Sequence, residues 1–152
     1  MMLRTHLSIS VLFIILILPH VSNKLIFAFV VLVATLLPDI DTGYSTIGKF
    51  PGFKILQFFF RHRGVLHSLS FCIVASFVLA FFLPILAFPF FLGYFLHIFS
   101  DSFNIEGIKP FWPLARKSSG LLRTGSLLET NLFIIFLLAD VFIFIFRYNT
   151  IF

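Results

Sequence analysis

Charge is scarce in this chain. Asp, Glu, Lys and Arg make up 11% of its 152 residues, against roughly a quarter in an ordinary soluble domain. So few charges exclude a disordered chain, which is kept open by polarity and net charge, and argue against a water-soluble enzyme. A single cysteine, Cys72, excludes an internal disulfide framework. The sequence has no internal repeat and no low-complexity tract beyond an excess of Phe, and its length suits one domain over residues 1–152. What is present is apolar: 60% hydrophobic residues, 25 of them Phe, and a mean hydropathy of +1.11.

The apolar residues fall into blocks. Leu3–Leu18 carries one charge, Arg4, and Leu25–Pro38 carries none. Gly64–Ser100 is free of Asp, Glu, Lys and Arg and divides at Pro84 into Gly64–Leu83 and Ile85–Ser100. Thr130–Phe146 contains one acid, Asp140. At 1.5 Å per residue, Gly64–Leu83 reaches about 30 Å, the thickness of a hydrocarbon core, whereas Leu25–Pro38 reaches roughly 20 Å. The expected fold is therefore all-α: an integral membrane bundle of four to five transmembrane or membrane-embedded helices, with hairpins at Pro19–Lys24 and Pro84–Pro89. The first block is read as a retained helix, because Pro19 and His20 occupy the region where a leader would be cleaved. Phe53–Arg61 mixes Phe with Lys and Arg, as an interfacial helix does. Phe103–Glu129, with Gly107, Pro110, Pro113 and Gly120, reads as an ordered loop, and Trp112 suits the aromatic belt.

Basic residues set the expected orientation. With five crossings, Arg4, Lys49, Lys54, Arg61, Arg63, Lys109, Arg116, Lys117 and Arg123 share one side, and only Lys24 and Arg147 lie on the other. The positive-inside rule then places the N-terminus and both polar loops in the cytoplasm of a multi-pass inner-membrane protein. Anionic headgroups account for the net charge of +5, so no nucleic-acid partner is expected.

The few polar groups are not scattered. His6 opens the first helix, and Asp39 and Asp41 follow the second in Leu36-Leu-Pro-Asp-Ile-Asp41. His62 and His67 precede the third in His62-Arg-Gly-Val-Leu-His67-Ser68. His97 and Asp101 close the fourth, and Glu129 enters the fifth. An up-and-down topology brings all eight to one membrane face. Imidazole with carboxylate suits Zn first, and also Mn or Fe, whereas Ca and Mg prefer oxygen shells. His97 and Asp101, at i and i+4, share a helix face. His62 and His67 would be about 140° apart on a continuous helix, so they converge only if Gly64 interrupts it. Eight candidates exceed the three or four ligands of one zinc, which points to two ions or more. Such a centre activates water near neutral pH and holds both oxygens of a displacement at phosphorus. Arg61 and Arg63 suit phosphate oxygens or, equally, lipid headgroups.

Other polar residues have plainer readings. His20, on the far side, reads as a hydrogen-bonded histidine and Glu106 as a solvated loop charge. Asp140 lies roughly 16 Å deeper than Glu129. Intramembrane acids are functional by default, yet this one is remote from the cluster.

Thr5-His6-Leu7, Leu36-Leu-Pro-Asp-Ile-Asp41, His62-Arg-Gly-x-x-His67-Ser68 and Leu92-Gly-Tyr-x-x-His97-x-x-x-Asp101 resemble, in order and spacing, the signature blocks of the YdjM-like membrane-bound metal-dependent hydrolases. The resemblance covers residues 1–115 and, more loosely, the segment around Glu129. More distantly, the pattern is similar to the zinc-dependent phospholipase C and P1-nuclease group, all-helical phosphodiesterases with three zinc ions. That likeness implies metal ligation by His6, Asp39 or Asp41, His67, His97 and Asp101. Gly125 stands where that group has a further His before its Glu, which removes one expected ligand of a third ion.

The expectation is a membrane-embedded hydrolase acting on a phosphoester, with a lipid as substrate because the site lies at headgroup depth. His6, His67, His97 and Asp101 would be primary ligands, with Glu129 a further candidate. Asp39 or Asp41 would bridge ions or act as general base, His62 would ligate or donate a proton, and Arg61 and Arg63 would bind phosphate. A phosphohistidine lipid phosphatase also ends a motif in H-x-x-x-D, but its upstream S-R and P-S-G-H blocks are missing here. The alternative from another class is a non-catalytic membrane protein with a structural metal site, or a metal-ion carrier. Ligands gathered at one face disfavour a carrier, which needs them near the midplane.

Overall fold

The structure is a computed structural model and describes residues 1–41, 43, 45, 48–54, 57, 64–114 and 116–148. Among the described residues it is all-helical: α1 (Leu3–Ile17), α2 (Lys24–Leu36), α3 (Leu69–Phe82), α4 (Pro84–Ser102) and α5 (Leu127–Tyr148). Short 3₁₀ turns extend α1 to His20 and α2 to Asp41, and a third covers Pro51–Phe53. Among the described residues, three stretches are long and apolar enough to cross a membrane: Leu3–His20, Pro84–Ser102 and Leu127–Arg147. At ~1.5 Å per residue, α2 and α3 reach only about 20 Å, short of a full hydrocarbon core.

Two boundaries differ from expectation. The third helix begins at Leu69 rather than Gly64, because Ser68 is extended and its hydroxyl accepts from Phe71 N at 3.1 Å, a side-chain N-cap. Residues 64–68 are thereby left as a loop that carries His67. The hairpin expected at Pro84–Pro89 shrinks to one residue, Leu83. Pro84 starts α4 at the first helical position, where its missing N–H costs nothing. Pro89 lies buried inside the same helix, as membrane helices tolerate. The interfacial segment expected at Phe53–Arg61 falls mostly outside the described residues.

The helices pack as a chain of neighbours. α3 lies on α4, α4 on α2, α2 on α1, and α1 on α5. Ile14, Phe27, Val31, Leu92 and Leu96 fill the space among α1, α2 and α4. Ala34, Cys72, Tyr94 and Ile98 fill that among α2, α3 and α4 and are capped by Ile108 of the long loop. Outward positions are also apolar: Phe77 and Phe81 of α3 and Phe142 and Phe146 of α5 stand exposed. In water such faces would aggregate; against acyl chains they are at rest.

α2 and α4 approach closely. A Cβ placed on Gly93 would lie 2.2 Å from the Val31 carbonyl oxygen. Thr35 Oγ1 donates to Val31 O of its own helix at 2.8 Å, and the glycine lets it also lie 3.3 Å from Gly93 O, with Ser10 Oγ of α1 at 2.8 Å. Small residues and shared hydroxyls are how helices associate where lipid removes the hydrophobic drive. Gly93→Ala is expected to destabilise the protein by about 1–3 kcal/mol, read as a lowered thermal unfolding midpoint in detergent. Gly52→Ala, whose Cβ would meet nothing within 4 Å, is expected to leave the midpoint unchanged.

Candidate metal centre

The polar ends of the helices meet at one end of the bundle. Three chain features aim the side chains there. His6 sits in the first turn of α1, and His97 and Asp101 sit one turn apart near the end of α4. Asp39 and Asp41 sit on the tight turn that ends α2, where Pro38 has no N–H to continue the ladder. His67 sits in the loop before α3, and that loop is tied to α4 by the Tyr94 hydroxyl, which donates to Leu66 O at 2.5 Å. The long loop closes the arrangement from outside: Leu69 N and Ser70 N both donate to Pro110 O, at 2.8 and 3.3 Å.

Among the described residues, two groups of ligand-type atoms lie within 4.8 Å of one another: His6, His97 and Asp101, and Asp39, His67 and His97. They share His97 and are nearly closed to solvent, with each of the three histidines 1% exposed and Asp101 2%. His97 Nε2 lies 3.7 Å from Asp39 Oδ1 and 3.7 Å from Asp101 Oδ2. His67 Nε2 lies 4.0 and 3.7 Å from the same two oxygens. Asp101 turns its other oxygen to His6 Nε2 at 3.3 Å and to the amino group of Met1 at 2.6 Å. The His6 and His97 rings stack at 4.0 Å, 9° from parallel, and His67 meets His97 edge-on at 5.5 Å.

The outer nitrogens of His67 and His97 are already occupied. His97 Nδ1 faces the Thr35 carbonyl at 2.8 Å, one of the last carbonyls of α2, where intrahelical donors run out. A carbonyl only accepts, so His97 Nδ1 carries the proton and Nε2 presents a lone pair. His67 Nδ1 faces Asp41 Oδ2 at 2.9 Å, an arrangement that orients an imidazole and raises its basicity. His97 Nε2 and both nitrogens of His6 are buried without a hydrogen-bond partner among the described residues. Buried polar atoms left this way are uncommon and call for an explanation. Burial also raises the Asp39 carboxyl above its ordinary range, the neighbouring imidazoles opposing the shift. A cation is the ligand chemistry that would satisfy lone pairs and a desolvated carboxylate together.

The structure thus brings His6, Asp39, His67, His97 and Asp101 together. Asp41 reaches the cluster through the far nitrogen of His67. Glu129 is buried at the same end but in neither ligand group. Its carboxylate accepts from Met2 N, from Gly125 N at 2.5 Å and from Thr5 Oγ1 at 3.5 Å. It ties the starts of α1 and α5, beside the Arg4–Thr130 hydrogen bond. His62, Arg61 and Arg63 lie outside the described residues. His20 is exposed at the opposite end of α1, Glu106 is exposed on the loop, and Asp140 is buried in α5. Sequence reasoning missed Thr35 and Tyr94, which aim His97 and His67. Their one signal was a polar group within an apolar run.

Two backbone N–H groups depend on the Glu129 carboxylate. Glu129→Ala is therefore expected to lose about 2–4 kcal/mol of stability, measured by thermal unfolding in detergent, while metal uptake per folded chain stays as in the parent. Loss of metal without loss of stability would instead make Glu129 a ligand.

No curated protein and no solved structure shows significant similarity to this chain. One family model matches residues 1–150, nearly the whole length, and is described as the YdjM inner membrane protein. That match takes in all five helices and every residue of the buried His–Asp cluster, and by it the chain belongs to the YdjM inner membrane protein family.

Proposed function

We propose that this membrane protein is a metal-dependent hydrolase of phosphoesters, with its centre at the cytoplasmic end of the bundle and a lipid as substrate. One observation carries the reading. Three imidazole nitrogens and two carboxylates converge in a buried space, with the outer nitrogens of His67 and His97 already held by Asp41 and the Thr35 carbonyl. A divalent ion there, Zn first and Mn or Fe after it, would lower the pKa of a water and neutralise charge developing on a phosphoester oxygen.

Asp39, His67 and His97 suit one ion, and Asp101 Oδ2 lies 3.7 Å from Nε2 of both histidines. The imidazole–carboxylate separations of 3.7 to 4.0 Å are slightly wider than the roughly 3.3–3.6 Å edge of a tetrahedron with zinc-type bond lengths. His97 Nε2 has one lone pair, so the two groups that share it cannot both use it. A second ion would rest on His6 and the other oxygen of Asp101, a poorer set without a further ligand among the described residues. Asp39, the most exposed of these side chains at 17%, marks the side from which water and substrate approach. It is placed either to ligate or to take a proton from water. Asp41 positions His67. Arg61 and Arg63 are assigned to the phosphate by sequence alone, and His62 to ligation or proton donation on the same basis.

Near-complete burial of His6, His67, His97 and Asp101 favours a second reading, a closed structural site in a non-catalytic protein. Elemental analysis of the protein purified in detergent without chelator tests both. The expected result is at least one Zn, Mn or Fe per chain, absent from His97→Ala/Asp101→Ala. Asp41→Asn should weaken metal affinity by on the order of 10–100-fold in a competition titration, because the acceptor behind His67 loses its negative charge. Chelator-sensitive hydrolysis of phosphodiester or phosphomonoester lipids, restored by the ion, supports the enzyme. Tight metal with no hydrolysis supports the structural site. Folded protein that takes up no metal overturns both.

A further inference from the structure

Where α1, α4 and α5 meet, the bundle contains a cavity of about 540 Å³. Ile9 and Phe13 of α1, Leu96 and Phe99 of α4, and Leu132 and Phe136 of α5 line it. The size is that of a small-molecule site, but its walls are hydrocarbon. The one side-chain hydroxyl there, Ser100, is already committed to the Leu96 carbonyl at 2.7 Å. A cavity without polar partners gives water nothing to hold.

Its position suggests the occupant. α1, α4 and α5 belong to the three stretches long enough to cross a membrane, so the space between them lies at hydrocarbon depth. Phe99 and Phe103 on its margin are 50% and 47% exposed, which leaves it open to the surroundings, and those are acyl chains. No residue of the His–Asp cluster lines it, but the cluster is its neighbour: Ser100 on the wall precedes Asp101, and Met1, also on the wall, lies with its amino group 2.6 Å from Asp101 Oδ1.

We propose that this groove seats one acyl chain of the membrane lipid whose phosphoester is presented to His67, His97, Asp39 and Asp101. The proposal rests on the hydrolase reading and adds to it how substrate is held. An acyl chain leaving the bilayer for the groove exchanges one hydrocarbon contact for another, so transfer itself supplies little drive. The groove acts by placement: a chain fixed between α1, α4 and α5 leaves the headgroup one short step from Asp101. Filling the groove should therefore impair reaction of a long-chain lipid and spare a short-chain, water-soluble phosphodiester.

The test is photolabelling in detergent with phosphatidylglycerol that carries a diazirine on one acyl chain, followed by peptide mapping. Label is expected at Ile9, Phe13, Leu132 or Phe136, displaced by excess unlabelled phosphatidylglycerol. Label at the outward Phe77 and Phe81 should not saturate and serves as the folding control. Leu132→Trp and, separately, Ile9→Trp should lose the groove label and keep the outer one. His97→Ala/Asp101→Ala should keep both, so failure of the metal reading is seen apart from failure of the groove. Label confined to the outer faces overturns the proposal. Groove residues that are shielded and cross-link to a second copy overturn it in favour of self-association. Groove label in an unsubstituted protein that itself binds no metal overturns the substrate role.

Discussion

The constraint behind this structure is the difficulty of burying imidazoles and carboxylates in an apolar bundle. A desolvated polar group is expensive unless something answers it. Here the answers come from α2, the turn after it and α4. α2 offers the Thr35 carbonyl to His97, the turn after α2 offers Asp41 to His67, and α4 lends the Tyr94 hydroxyl to the loop that carries His67. What these partners leave unanswered is a set of inward-facing atoms grouped around His97. The helix ends, the loop after α4 and the start of α5 are arranged to hold that small volume closed.

Packing in the membrane serves the same end. Gly93 lets α2 and α4 approach until a hydroxyl network of Ser10, Thr35 and the Gly93 carbonyl links three helices. Thr35 belongs to both systems: its side chain joins α1, α2 and α4, and its carbonyl fixes the ring of His97. A shift of α2 along α4 would alter the metal-type cluster and the packing together. Glu129 does a similar task at the rim, where its carboxylate gathers the amides of Met2 and Gly125 and fixes where α1 and α5 begin.

The same architecture accounts for the contrast between the two spaces beside Asp101. On one side are nitrogen and oxygen atoms held by outer partners, and on the other a hydrocarbon-walled cavity bounded by α1, α4 and α5. A molecule with an anionic head and an apolar tail matches that pairing, and in a chain so rich in lipid-facing Phe such molecules are the surrounding solvent.

Composition and period were enough to read an all-helical membrane protein, because apolar runs without charge have few other fates. The up-and-down order then put His6, Asp39, His67, His97 and Asp101 at one end, and the i,i+4 spacing of His97 and Asp101 set them on one face. Helix limits were less legible: Gly64–Ser68 is apolar enough to be helix, yet the Ser68 cap and the Tyr94 bond hold it as loop. Nor did the sequence distinguish Asp39 from Asp41. Their separate positions, one facing the cluster and one behind His67, come from the turn after Pro38 and from the packing of the His67 loop against it. Glu129 looked like any other acid of the cluster until the amides it serves came into view. The sequence by itself determined which residue types would be gathered at the membrane face. Only the tertiary structure decided which atom of each points inward, because that depends on acceptors contributed by other helices.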